Sequence, residues 1–197
     1  MVQKVASLRS PVKLVHVTKL PAALVFLGLA AAPAIAAAGP NDNSSDRPWT
    51  LDIGLGPTIN LESGSALGKA GLDFHYHFKG GDVGPALGGQ FYMHFRDSVF
   101  GFNVGPMFLW DFRVYDGGKF KMYLAPLVAL GYSLTNFHAG PFHGNSHAFF
   151  MDFGGQFKGV WNDRVGFFIR PVNFSLWAGE GGATGFWTLI AGLTLSF

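Results

Sequence analysis

The stretch Trp187-Thr188-Leu189-Ile190-Ala191-Gly192-Leu193-Thr194-Leu195-Ser196-Phe197 decides the fold. Trp187, Leu189, Ala191, Leu193, Leu195 and Phe197 fall at alternate positions, against Thr188, Gly192, Thr194 and Ser196. Side chains repeat every two residues along a β-strand, so this pattern makes a strand with one apolar and one polar or small face.

Working backwards, the same period recurs through the chain. Trp49, Leu51, Ile53, Leu55, Ile59 and Leu61 alternate with Thr50, Asp52, Gly54, Gly56, Thr58, Asn60 and Glu62. Leu72, Phe74, Tyr76 and Phe78 oppose Lys69, Gly71, Asp73, His75, His77 and Lys79; Leu87, Phe91, Met93 and Phe95 oppose Gly88, Gln90, Tyr92, His94 and Arg96. Further sets run over Phe100–Phe112, Met122–Leu134, Phe149–Trp161 and from Val165 onward. The reading is eight strands, an all-β chain.

Alternation alone also suits a water-soluble sandwich or barrel. The distribution of bulk decides between them. Large Phe, Trp, Leu and Met side chains occupy one face, and charged residues share the other with glycine. A soluble barrel would bury the bulk and expose the charge. Reversed, bulky groups meet lipid while small and polar groups fill a narrow interior.

Here the chain resembles the outer-membrane β-barrel proteins, of the small outer-membrane protein A, X and W type. The resemblance rests on a terminal aromatic, Phe197, preceded by Leu193 and Leu195 at alternate positions. In that class this pattern is the assembly signal. The resemblance implies an eight-stranded antiparallel up-and-down transmembrane β-barrel. It also implies outer-membrane lipids, lipopolysaccharide, the barrel assembly machinery and periplasmic chaperones as partners. A closed sheet follows from the membrane too, because no open edge can face hydrocarbon.

The N-terminus agrees with export. Lys4, Arg9, Lys13 and Lys19 precede an apolar, Ala-rich run from Pro21 to Ala38, ending in Ala36-Ala37-Ala38. This is the plan of a secretory signal, with cleavage expected after Ala38. Residues 39–48 read as a flexible periplasmic lead-in and 49–197 as the barrel. Of the 14 Lys and Arg residues, four belong to the leader, leaving ten against 12 Asp and Glu. The basic character of the whole chain is therefore a leader effect and gives no support to nucleic-acid binding. The chain has no cysteine, which excludes disulfides and a lipid-modified cysteine.

Hairpin parity fixes registers, because paired residues must face the same side. Asp97-Ser98 as a two-residue turn pairs Phe95 with Phe100 and Tyr92 with Asn103. Asn162-Asp163-Arg164 as a loop pairs Trp161 with Val165 and Gln156 with Arg170. A loop centred on Asp116 pairs Asp111 with Lys121. Eight strands put both termini in the periplasm and the longest loop, Thr135 to Ser146, outside.

The inward set is Asp52, Glu62, Lys69, Asp73, His75, His77, Gln90, His94, Arg96, Asp111, Lys121, Asp152, Gln156, Lys158 and Arg170. It is read as a plug of mutually satisfied charges, with a narrow polar conduit as the alternative. His75, His77 and His94 do not form a metal site, since parity puts Lys69 beside His94. The Gly-rich loop with His138, His143 and His147 is a weak metal candidate, and no cofactor is expected. Ser133, Ser146, His147 and Glu180 match no nucleophile pattern closely enough to assign a catalytic role. Trp49, Trp110, Trp161, Trp177 and Trp187 sit near strand ends as an expected aromatic girdle.

Pro57, Pro85, Pro106, Pro126 and Pro171 lie within strands on the outward parity, where each removes a ladder donor. The Asp111–Lys121 register places Pro106 opposite Pro126, a candidate lateral seam for a small apolar solute. The functional expectation is a non-enzymatic barrel serving a structural or surface-interaction role, or acting as a narrow conduit. A lipid-modifying enzyme (lipid A deacylase or acyltransferase-like) and a surface adhesin are the alternatives.

Overall fold

A computed structural model describes residues 47–78, 83–139, 142–179 and 182–197, the side chains at 137–139, 142 and 143 excepted. The expected leader at 1–38 and most of the lead-in lie outside the described residues. These form eight strands: β1 (Trp49–Asn60), β2 (Ala66–His77), β3 (Gly84–Arg96), β4 (Val99–Asp116), β5 (Phe120–Ala139), β6 (Phe142–Trp161), β7 (Val165–Gly179) and β8 (Gly182–Ser196). Every strand pairs antiparallel with its sequence neighbour, and β1 pairs with β8, so the sheet closes into an up-and-down barrel. Closure leaves no lateral edge to protect. Trp49 and Phe197 lie together at one end, called here the terminal end, joined by reciprocal backbone hydrogen bonds of 3.1 and 2.9 Å.

The period of two sorts the side chains as expected. Ile53, Leu55, Phe91, Val104, Phe108, Leu130, Phe153, Ile169 and Leu193 are exposed on the outer surface, Leu193 at 61%. Asp52, Asp73, His75, His77, Asp111 and Gln156 are fully buried inside. The interior is less uniformly polar than the alternation implies. Met107, Leu109, Leu127 and Phe150 cluster with Ala86, Ala125 and Ala129, and Tyr92, Phe168 and Ile190 form a second cluster. Glycine makes room for this bulk: a Cβ at Gly131 would lie 2.7 Å from Cε1 of Phe150.

Two hairpins have the expected registers beside their turns. Phe95 pairs with Phe100 and Tyr92 with Asn103 across Asp97-Ser98. Trp161 pairs with Val165 across Asn162–Arg164, where Asn162 and Asp163 both adopt positive φ. That register holds as far as the Phe157–Ile169 pair but shifts before Gln156 and Arg170, which are not ladder partners. The β4–β5 register differs. The turn pivots on Gly117-Gly118, with Gly118 at φ +76°, and Asp116 pairs with Lys121. Asp116 Oδ1 accepts from Gly118 N at 3.0 Å and Gly117 N donates to Phe120 O at 2.9 Å, so the reversal comes later than a loop centred on Asp116. Asp111 therefore does not face Lys121, and Pro106 does not face Pro126.

Two further corrections concern the far end and β7. The expected long loop from Thr135 to Ser146 is strand: β5 and β6 stay paired out to Ala139 and Phe142. The β6–β7 pairing stops at Ala148 and Gly179, so Phe142–His147 continue past the end of β7. At about 3.3 Å per residue this carries β6 roughly 20 Å past β7, while on the other side β5 stays paired with β4 as far as Val99–Phe137. In β7 the register shifts between Arg170 and Asn173. The extra residue inverts the parity beyond Pro171. Trp177 consequently turns inward, against Phe186 and the first apolar cluster, and leaves the expected girdle.

Candidate functional site

The buried polar side chains stack in three tiers along the barrel axis. Arg170 of β7 organises the middle tier. Its guanidinium makes a short ion pair with Asp73 of β2, and its Nε donates to Oε1 of Gln156 at 2.6 Å. Gln156 donates to Asp52 at 2.8 Å, and Tyr92 donates its hydroxyl hydrogen to Asp73 at 2.8 Å. Arg170 Nη1 also reaches the Tyr92 hydroxyl oxygen at 3.3 Å. Four groups thus surround one planar cation whose five donors are fixed in a fork. The ring of Phe168 covers it at 5.2 Å.

Nearer the far end, Lys69 lies 3.7 Å from Asp152, which also accepts from Gln90 at 2.9 Å. Lys69 pairs directly across the ladder with His94, as parity requires. His94 contacts the Thr135 hydroxyl at 2.8 Å and the ring of Trp177 at 4.8 Å, well away from the other inward histidines. Nearer the terminal end, Lys158 and His77 both approach Oδ2 of Asp111 at 2.7 Å. Lys121 pairs at the mouth with Asp163 of the β6–β7 turn, at 2.8 Å.

All of the expected inward residues but two are buried. Glu62 belongs to the exposed turn after β1, and Arg96 ends β3 at the rim, its side chain 51% exposed and 3.9 Å from Asp97. Both carry the inward parity, but they stand beyond the barrel mouth, where parity no longer implies burial. Sequence reading missed the meeting of His75 and His77 with Asp111. Their ligand atoms all lie within 4.8 Å of one another. No local signal predicts it, because β2 and β4 are not neighbours.

The weaker candidates are not brought together. His138 pairs with His143 along the hairpin backbone, but the side chains of both lie outside the described residues. His147 is exposed, with its Nδ1 in short contact with the Tyr132 hydroxyl. Ser133 is buried, Ser146 is exposed, and Glu180 lies outside the described residues.

The prolines do interrupt the β4–β5 ladder, though not where expected. Pro106 remains paired with Gly89 of β3, and Pro126 with Gly155 of β6. On the β4–β5 side the ladder skips Gly105-Pro106 and, separately, Trp110-Asp111, which face the Pro126 region. Both missing donors therefore point into this seam. Between the breaks Met107, Phe108 and Leu109 pair with Ala129, Val128 and Leu127. There is no continuous unzipped stretch.

A closed eight-stranded barrel with an apolar exterior and a charged, occupied interior defines the class of fold. No protein-family model matches the chain, and no curated protein matches it by sequence. Among solved structures it is similar to the N-terminal β-barrel domain of Pseudomonas aeruginosa OprF. The two share 14% sequence identity at a TM-score of 0.52, over 75% of this chain and 97% of that one. It is also similar to Neisserial surface protein A, at 12% identity and a TM-score of 0.53, over 79% of this chain and all of that one. Both are small outer-membrane eight-stranded barrels. The likeness is one of fold.

Proposed function

We propose that this chain is a non-enzymatic small outer-membrane barrel protein, closed to solutes along its axis, that presents its β5–β6 hairpin at the cell surface. The observation that carries this reading is the sidedness of the closed sheet. Large apolar side chains face outward, and inside Lys69, Lys158 and Arg170 each meet a buried carboxylate. Aromatic side chains gather near the terminal end, as they do at a membrane interface. Trp49 stacks on Phe74 at 4.9 Å, and Trp161 packs on Phe120 at 4.6 Å and Phe167 at 5.6 Å. In this reading the terminal end faces the periplasm.

The plug reading is favoured over the conduit by the middle tier. Arg170, Tyr92, Phe168 and Gln156 are each no more than 1% exposed and meet near the axis, where eight strands leave little more than side-chain space. The hairpin, standing beyond β7, favours surface interaction. The test is single-channel recording of the purified, folded protein in a planar bilayer. A silent bilayer containing folded protein is the expected outcome; stable discrete steps would overturn closure and restore the conduit. Unchanged lipid A mass on overproduction is the matching expectation for a non-enzymatic role.

A further inference from the structure

We infer that the terminal-end tier is a binding site for one divalent transition-metal ion, held by His75, His77 and Asp111. The three side chains come from β2 and β4, are fully buried, and place their ligand atoms within 4.8 Å of one another. A zinc-like ion with bonds of about 2.0–2.2 Å holds its ligand atoms roughly 3.0–3.5 Å apart. Small side-chain rotations would therefore close the set. Two imidazoles and a carboxylate are a donor set suited to such an ion and leave positions for water.

Two independent features point to a ligand. The first is His75, completely buried, with neither ring nitrogen hydrogen-bonded. A buried imidazole with no partner is costly, and its ring shares the pocket of His77 at 5.3 Å between centroids. Asp111 Oδ1, also buried, has no hydrogen-bond partner either.

The second is the setting of His77. Its Nδ1 lies 3.3 Å from the Pro48 carbonyl, to which it can donate, and its Nε2 faces Asp111. A ring nitrogen donating to a backbone carbonyl is the usual means of orienting a histidine that ligates through the other nitrogen. Gly88, paired with His75, keeps β3 close behind the site: a Cβ there would lie 2.5 Å from the His75 Cα.

Charge bears on the affinity. The surplus carboxylate of the interior lies in the middle tier, where Asp52 and Asp73 share Arg170, whereas Asp111 has Lys158 beside it. A bound dication would engage the unpartnered imidazole of His75 and the free oxygen of Asp111. Lys158, 2.7 Å from Asp111 Oδ2, is then a like-charged neighbour that holds the affinity down.

The test uses the full chain expressed with its own leader, purified folded from membranes, stripped with chelator and titrated with Zn2+ or Co2+ alone. One Zn2+ per chain by calorimetry is expected, with the visible spectrum of nitrogen-ligated Co2+. His75→Gln and His77→Gln should each weaken binding at least ~10-fold. Lys158→Gln should tighten it, which provides a readout that loss of folding cannot imitate. The variant His138→Ala/His143→Ala/His147→Ala should leave binding unchanged. The proposal is overturned by absence of stoichiometric binding, by binding that survives the double His75→Gln/His77→Gln change, or by binding lost with the hairpin histidines.

Discussion

Arg170 on β7 is ion-paired with Asp73 on β2, two strands that share no ladder, and both side chains are buried to 2% exposure or less. The pair ties opposite parts of the wall together through the interior. Removing one member of a buried, hydrogen-bonded pair costs about 3–5 kcal/mol, because the other is left as an uncompensated charge. Arg170→Met strands Asp73 and also Asp52, whose Oδ2 lies 3.8 Å from Nη2. We expect a destabilisation of about 3–5 kcal/mol, read as a lower urea midpoint in detergent or lipid. Adding Asp73→Asn should recover part of the loss. A cost below ~1 kcal/mol would mean that these charges are solvated, as in an open conduit.

The middle tier also marks how far the sequence could be read. Strand positions and inward residues were legible because alternation is a property of each strand alone. The Asp97-Ser98 register was legible because a two-residue turn leaves no freedom. The β4–β5 register was not, because Gly117-Gly118 rather than Asp116 forms the pivot and a bulge follows between Arg113 and Tyr115. Alternation alone places Trp177 in the outward girdle, because the inversion beyond Pro171 depends on an extra residue that the pattern does not reveal. Contacts such as Arg170–Asp73 and His77–Asp111 depend on which levels of non-neighbouring strands meet across the axis. That is set by the accumulated stagger of the whole barrel, and no single segment encodes it.

The apolar exterior makes a prediction at Leu130, midway along β5 and 42% exposed. On a water-soluble protein an outward arginine would be nearly neutral. At the middle of a lipid-facing belt, Leu130→Arg should cost about 2–4 kcal/mol, measured by reversible unfolding in lipid vesicles. The same substitution at Leu61, in the turn after β1, should cost under ~1 kcal/mol. Equal costs at the two positions would sink the membrane assignment.

Orientation can be read chemically, because the chain has no cysteine to compete with an introduced one. Ser98 is exposed in the β3–β4 turn at the far end, and Arg164 is exposed in the β6–β7 turn at the terminal end. On intact cells a membrane-impermeant maleimide should label Ser98→Cys and spare Arg164→Cys. After the outer membrane is permeabilised, both should react. The reverse pattern would place the β5–β6 hairpin in the periplasm and remove the surface-interaction reading.

Pro106 and Pro126 supply the remaining prediction, because both withhold a donor from the β4–β5 seam. Were the breaks face to face, they would open a lateral gap. Instead the pairs from Met107–Ala129 to Leu109–Leu127 stand between them. Each break then costs a hydrogen bond locally without parting the strands. Pro106→Val and Pro126→Val should each raise stability by about 0.5–1.5 kcal/mol, the net worth of one restored bond. Amide exchange along Met107–Leu109 should already be slow in the unmodified protein and change little in the double variant. Uptake of apolar solutes by cells carrying that variant should match the unmodified protein. If uptake fell while the barrel stayed folded, strands β4 and β5 would have to separate in the membrane despite the pairs between the two prolines, and the seam would again be a route for lipid-soluble molecules.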